Sequence, residues 1–203
     1  GVTLPGSILA VQETQIHPRA SGYVRALRVD LGDAVTAGQV LAVIDNPEVD
    51  QELRQVQSAV AQSRAALQQA RTQRELARAE AARYGTLVAS GFVSRQEADA
   101  RRAQADVSVA NVSAAEAALA STEANVRRLQ ELVSFATVRA PFEGTITARG
   151  VEVGQLVTAG STAGTAMFRV SKTDVVRVMV SVPQAYAPGV RVGDAATVRL
   201  REY

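Results

Sequence analysis

Apolar residues recur through the middle of the chain in steps of four and three: Val49, Leu53, Val56, Val60, Ser63, Leu67, Ala70, Arg74, Ala77, Ala81, Tyr84 and Val88, nearly all apolar. That alternation is the seam of a heptad helix. After a short break the seam returns with Ala105, Val112, Leu119, Val126 and Val133, and Ser108, Ala115, Thr122 and Leu129 fill the intermediate positions. The pattern predicts two helices of nearly equal length over residues 46–133, folded back on each other along one narrow stripe. Each arm has about 40 residues, which makes a rod on the order of 60 Å long. The rest of its surface is Gln, Arg, Glu, Ser and Ala, so it is solvated or meets other chains.

The ends of both arms carry their own signals. Asn46 suits the N-cap of the first helix, Pro47 its first position, and Glu48, Asp50 and Glu52 its positive dipole end. Ser90-Gly91 stops that helix, with Gly91 placed for the left-handed conformation. Ser94-Arg95-Gln96-Glu97 then opens the second helix as a capping box. The tip therefore spans about 84–94.

The flanks follow a different period. Gly1 to Gln15 alternates weakly and reads as one strand with a turn at Pro5-Gly6. Strands are expected from Gly22 to Val29 and from Val40 to Ile44, with turns at Gly32-Asp33 and Ala37-Gly38. Beyond the hairpin this unit is repeated: Gly32-Asp33-Ala34-Val35-Thr36-Ala37-Gly38 matches Gly154-Gln155-Leu156-Val157-Thr158-Ala159-Gly160 at Gly, Val, Thr, Ala and Gly. Gly22 and Gly144 stand at equal distances before the two copies, and each copy follows an Arg-Ala pair, Arg19-Ala20 and Arg139-Ala140. Neither half is large enough to be a domain alone. The simplest physical account packs them on each other as one small sandwich with the hairpin inserted between them. From Asp174 the chain turns β-branched: Val175 to Val182 reads as a strand and Val190 to Leu200 as another strand region. Two or three strands do not close a core, so this module needs the N-terminal strand, downstream sequence, or both.

Composition narrows the chemistry. The chain has 203 residues, 47% hydrophobic but only 4% aromatic with no Trp, which suits thin β modules and a coiled coil better than one large core. The Arg residues are interleaved with Glu and Asp and lack aromatic partners, so nucleic-acid binding is not expected. With no Cys and one His, His17, neither a disulfide nor a thiolate site is expected, and His17 has no partner for a metal. Met167 and Met179 are too few for a soft-metal relay. No Ser/His/Asp set, phosphate-cradling Gly loop or paired carboxylates point to catalysis, so no enzyme activity and no cofactor are expected.

Two half-motifs, Ala20-Ser21-Gly22-Tyr23-Val24 with Gly32-Asp33-Ala34-Val35, and Arg139-Ala140-Pro141-Phe142-Glu143-Gly144-Thr145-Ile146 with Val153-Gly154-Gln155-Leu156-Val157, flank the hairpin. In this the chain resembles the periplasmic adaptor subunits, or membrane fusion proteins, of bacterial tripartite efflux pumps. It looks most like those of resistance-nodulation-division type. The resemblance implies an α+β fold: a long antiparallel coiled-coil hairpin inserted between two halves of a lipoyl-like β-sandwich, plus part of a β-barrel. The implied division is barrel strand 1–15, first lipoyl-like half 16–45, hairpin 46–133, second half 134–173 and incomplete barrel 174–203. It further implies a ring, usually a hexamer, between an inner-membrane efflux transporter and an outer-membrane channel, exporting drugs or other toxic compounds. The location expected is the periplasm, anchored to the inner membrane through a segment outside this chain.

In that family the hairpin tip carries an Arg, a Leu four residues on and a Ser seven after that, which contact the duct. Arg83, Leu87 and Ser94 have that spacing here. Ser94 is also explained as an N-cap, and Arg83 as a solvated charge; both roles are compatible with contact. Leu87 lies beside the seam position held by Val88, nearer solvent, which favours contact. Two other readings remain: a lipoyl or biotinyl carrier in acyl or carboxyl transfer, and an adaptor of an ATP-driven exporter. A carrier needs a Lys on the turn joining its halves, whereas the only Lys is Lys172, after the second half.

Overall fold

The computed structural model describes residues 3–160 and 166–199. Strands β1 (Gly6–Ala10), β2 (Glu13–Ile16), β3 (Gly22–Leu27), β4 (Ala34–Val35) and β5 (Val40–Asp45) precede two helices, α1 (Pro47–Ala89) and α2 (Arg95–Ser134). Strands β6 (Thr137–Arg139), β7 (Gly144–Arg149), β8 (Leu156–Val157), β9 (Phe168–Ser171) and β10 (Val176–Val180) follow. No described helix is long and apolar enough to cross a membrane.

The sequence repeat becomes a reciprocal exchange. One sheet runs β2-β9-β7-β4 and the other β6-β5-β3-β8, so the short strand of each half pairs with a long strand of the other. The Gly32 N–H donates to the Ile146 carbonyl at 2.9 Å, and the Gly154 N–H to the Val24 carbonyl at 2.7 Å. Ile146 and Val24 return the exchange, donating to Asp33 at 3.0 Å and to Gln155 at 2.9 Å. Side chains from both halves fill one core, among them Val24, Leu41 and Ile44 from the first and Ile146, Phe168 and Val170 from the second.

The repeated glycines have two separate causes. Gly32 and Gly154 adopt φ of 90° and 84°, where a Cβ is strained. Gly144 instead faces a neighbour's backbone: a Cβ there would sit 2.6 Å from the Ser171 carbonyl oxygen, and one at Gly22 would sit 2.2 Å from that of Asp45.

The hairpin grows out of a strand pair. β5 and β6 are antiparallel neighbours, Val43 opposite Thr137, and their continuations become α1 and α2. Paired strands lie about 4.8 Å apart and packed helices about 8–10 Å, so the chain must splay at the root. The residues before β3 hold both sides of that splay. The Ser21 carbonyl accepts from Asn46 Nδ2 at 2.9 Å while Asn46 caps α1, and the Arg19 guanidinium stacks 3.7 Å from the centroid of Phe135 at the end of α2.

Every predicted seam residue, from Val49 to Val88 and from Ala105 to Val133, is buried or half-buried. The polar seam positions Ser63 and Thr122 satisfy each other across it at 3.3 Å. Four ion pairs bridge the helices beside the seam: Arg64–Glu123 and Arg71–Glu116 at 2.9 Å, Glu80–Arg101 at 3.3 Å and Glu52–Arg128 at 3.4 Å.

Two strand expectations change. The N-terminal stretch is two strands rather than one: the chain bends at Val11-Gln12, leaving β1 to pair with β10 and β2 to pair with β9 in the sandwich. The Lys172 N–H, donating to the Gln12 carbonyl at 2.8 Å, joins the bend to the end of β9. The expected strand from Val190 to Leu200 is absent over its described part, which is irregular after a 3-10 turn at Ala187–Gly189. A strand needs a partner edge, and β1 and β10 form only a two-stranded sheet whose β10 is exposed throughout.

Gly144→Ala is expected to destabilise the sandwich by roughly 1–3 kcal/mol, because the obstacle is backbone. Gly85, inside α1 with open space where its Cβ would stand, makes the control: Gly85→Ala should stabilise by up to ~1 kcal/mol. Thermal unfolding of both variants reads the opposite signs.

Candidate partner-docking site at the hairpin tip

The tip is shaped by backbone capping at both helix ends. α1 closes with two bonds, the Gly91 N–H to the Val88 carbonyl at 3.0 Å and the Phe92 N–H to the Leu87 carbonyl at 3.1 Å. With Gly91 at φ 76° these form a Schellman motif. Four residues later α2 opens with the predicted capping box: Ser94 Oγ accepts from the Glu97 N–H at 3.2 Å, and the Ser94 N–H donates to Glu97 Oε2 at 3.0 Å. The Ser94 N–H, then the Ser94 hydroxyl, hold the exposed Glu97 carboxyl below the ordinary glutamate range. The turn is thus a determined shape.

The three residues singled out by spacing are placed as follows. Arg83 and Leu87 stand one turn apart on the same face of α1; Arg83 is exposed and Leu87 half-buried. Ser94 is exposed at the start of α2, across the turn, with its hydroxyl engaged in the capping box. Just below, Tyr84 fills its seam position under the Arg101 guanidinium, 5.1 Å from the ring centroid, and Arg101 also reaches Glu80. This brace stiffens the last turns beneath the tip.

Sequence reasoning missed Phe92. Its side chain is 79% exposed, whereas Phe168 is buried and Phe135 and Phe142 half-buried. The Schellman turn carries it past the end of α1, beyond the reach of the seam. The available signal was an aromatic directly after the helix-stopping glycine, in a turn otherwise made of small residues. On one side of the hairpin below it lies an open groove of about 570 Å³, lined by Arg78, Arg95 and Arg102 together with Asp99 and by small residues that include Gly85. Nothing in the tip gathers a nucleophile with a base; it offers shape, an exposed apolar ring and positive charge.

Known proteins share this arrangement. A family model described as the barrel-sandwich hybrid domain of RND membrane fusion proteins matches residues 12–169. Multidrug resistance protein MdtA of Pectobacterium carotovorum subsp. carotovorum (strain PC1) is 33% identical over 180 residues, covering 89% of this chain and 40% of that protein. MdtA of Escherichia coli O7:K1 is 31% identical over the same shares. The chain thus spans about two-fifths of the length of these curated relatives. Among solved structures, MacA from Actinobacillus actinomycetemcomitans superimposes with a TM-score of 0.85 at 21% identity, covering 92% of this chain and 57% of that one. The membrane fusion protein Spr0693 from Streptococcus pneumoniae R6 gives 0.63 at 20% identity, covering 92% and 73%. These two likenesses establish the fold.

Because Glu97 has a depressed pKa in the folded protein, its contribution to the cap is complete above the ordinary glutamate value and disappears as pH falls through the lowered one. Titrating the Glu97 carboxylate by NMR should show a midpoint below that of a free glutamate, and Ser94→Ala, which removes the hydroxyl but keeps the backbone N–H, should bring it back up only in part. An unchanged midpoint in Ser94→Ala would show that the hydroxyl contributes nothing and that the backbone N–H alone holds the carboxylate.

Proposed function

The chain belongs to the RND membrane fusion proteins, and on that premise we propose that it is part of a periplasmic adaptor coupling an inner-membrane efflux transporter to an outer-membrane channel. The adaptor carries drugs or other toxic compounds outward by sealing and aligning the two membrane components, without covalent chemistry. Copies assemble as a ring, usually six in this family, and a segment outside this chain anchors each to the inner membrane. The relatives named multidrug resistance proteins support the export reading, and the solved structure of EmrA, a periplasmic adaptor protein, supports the location.

The observation that carries the proposal is the pairing of a rigid root with an exposed, shaped tip. Helices of 43 and 40 residues hold the tip on the order of 60 Å from a sandwich that grips their base. A carrier arm works by swinging a modified lysine, but here the segment between the two halves is a braced coiled coil. The only lysine, Lys172, is ion-paired with Glu143 at 3.2 Å and Asp174 at 3.8 Å. We assign Arg83, Leu87 and Ser94 to contact with the channel. Leu87 supplies apolar area next to the turn, Arg83 a charge one turn below it, and Ser94 the start of the second helix. Fully burying a leucine contributes roughly 1.5–3 kcal/mol, and a ring multiplies that contribution.

Leu87→Asp in the full-length protein should abolish drug resistance in cells and leave helicity and melting temperature nearly unchanged, because the residue lies beside the seam. Wild-type resistance in that strain would show that the tip does not dock through Leu87. Loss of helicity in the purified variant would mean that Leu87 belongs to the seam.

A further inference from the structure

Each copy of the repeat is preceded by an Arg-Ala pair, and the core accounts for only one residue of each. Ala20 and Ala140 are buried, while Arg19 and Arg139 are exposed. Both arginines nevertheless line one hollow of about 330 Å³ at the hairpin root. It lies between the end of α2, the edge strand β6 and the segment that leaves β2. His17 lines it as a third basic residue, and Ile16, Phe135 and Val138 form its apolar wall. Among the described residues no carboxylate lines it. The grooves at the tip, along the shaft and at the start of α1 each include one, Asp99, Glu123 and Glu48 respectively.

The basic groups are held in place without an acidic partner. The Arg19 guanidinium stacks on Phe135, a contact made through its face rather than its N–H edge. Arg139 donates Nη1 to the Gly38 carbonyl at 2.9 Å, which occupies one N–H of its fork. Among the described residues neither arginine forms an ion pair. Backbone donors add to them. The Ile44 N–H bonds the Ala136 carbonyl at 2.8 Å, Ala42 pairs with Val138, and the Ala140 N–H bonds the Gln39 carbonyl at 2.9 Å. Alternation along the strand therefore turns the N–H groups of Thr137 and Arg139 out from the free edge of the sheet, and both residues line the hollow.

We propose that this hollow binds a small organic anion, a carboxylate carried on an aliphatic body. Guanidinium forks pair carboxylates through parallel hydrogen bonds, so the charged end meets Arg19, Arg139 and the outward N–H groups. The body lies on Ile16, Phe135 and Val138. It is aliphatic because Arg19 already takes one face of the only aromatic ring there. The volume falls at the lower end of the ~300–1,000 Å³ of small-molecule pockets, so the ligand is small. Such a ligand touches the sandwich and the end of α2 at once and ties the hairpin root across its splay. The inference goes beyond the adaptor reading and does not rest on it.

Purified full-length protein is titrated calorimetrically with octanoate below its micelle concentration, and separately with 1-octanol and with inorganic phosphate. The expected result is saturable binding of octanoate and of neither other probe. Arg19→Met and Arg139→Met keep a long apolar stem, and each should weaken octanoate binding about tenfold by removing charge-assisted hydrogen bonds. Arg102→Met, near the far end of the rod, should leave it unchanged. The imidazole signal of His17, identified by its disappearance in His17→Gln, should shift along the same titration curve. Because Arg19 also braces the root, Arg139→Met and the His17 signal locate the site independently of it. No saturable binding of octanoate to the folded wild-type protein would overturn the proposal. Equal binding of 1-octanol or of phosphate would overturn it too, since one charge or one apolar wall would then suffice. So would wild-type affinity in both arginine variants, which would place the site elsewhere. None of these outcomes bears on the adaptor reading, which drug resistance in cells tests separately.

Discussion

The reciprocal backbone exchange between Gly32 and Ile146 and between Gly154 and Val24 is the constraint on which the molecule depends. It joins two stretches separated by the whole hairpin, and the entropy of closing so long a connection is ordinarily a cost. Here the connection is itself folded, and its two ends return side by side as β5 and β6. The coiled coil closes the loop for the sandwich. The sandwich in turn roots the coiled coil through the Asn46–Ser21 hydrogen bond and the Arg19–Phe135 stack.

The register of the hairpin is fixed at its ends. Each Arg–Glu pair on its surface is worth little alone, and the pattern tolerates error: a slip of one heptad would set Arg71 against Glu123 and Arg78 against Glu116. Small seam residues such as Ala70, Ala77 and Ala81 would also tolerate a slip. What forbids it is the short turn between Ala89 and Arg95, locked by the Schellman motif and the capping box, together with strand pairing at the root. A rod with both ends determined places its tip at a set height, which a sealing or aligning part requires and a swinging arm does not.

Much of this was legible in the sequence because it is local. The four-three alternation, the Asn46-Pro47 start, the Gly91 stop and the Ser94–Glu97 box each depend on residues within a turn or two of one another, and all appear as read. The Gly-x-x-Val-Thr-Ala-Gly repeat identified two equivalent halves for the same reason. Tertiary structure decided the rest. It sends β4 and β8 each into the sheet of the other half, a pairing between segments more than a hundred residues apart that no local pattern encodes. It divides the N-terminal stretch between two sheets at Val11-Gln12. It leaves Phe92 almost bare, because only the three-dimensional path of the turn determines whether an aromatic there folds back or stands out. Among the described residues it leaves Arg78 without an ion pair, because helix pairing brings Val109 opposite it, and that relation exists only once two distant helices share a register.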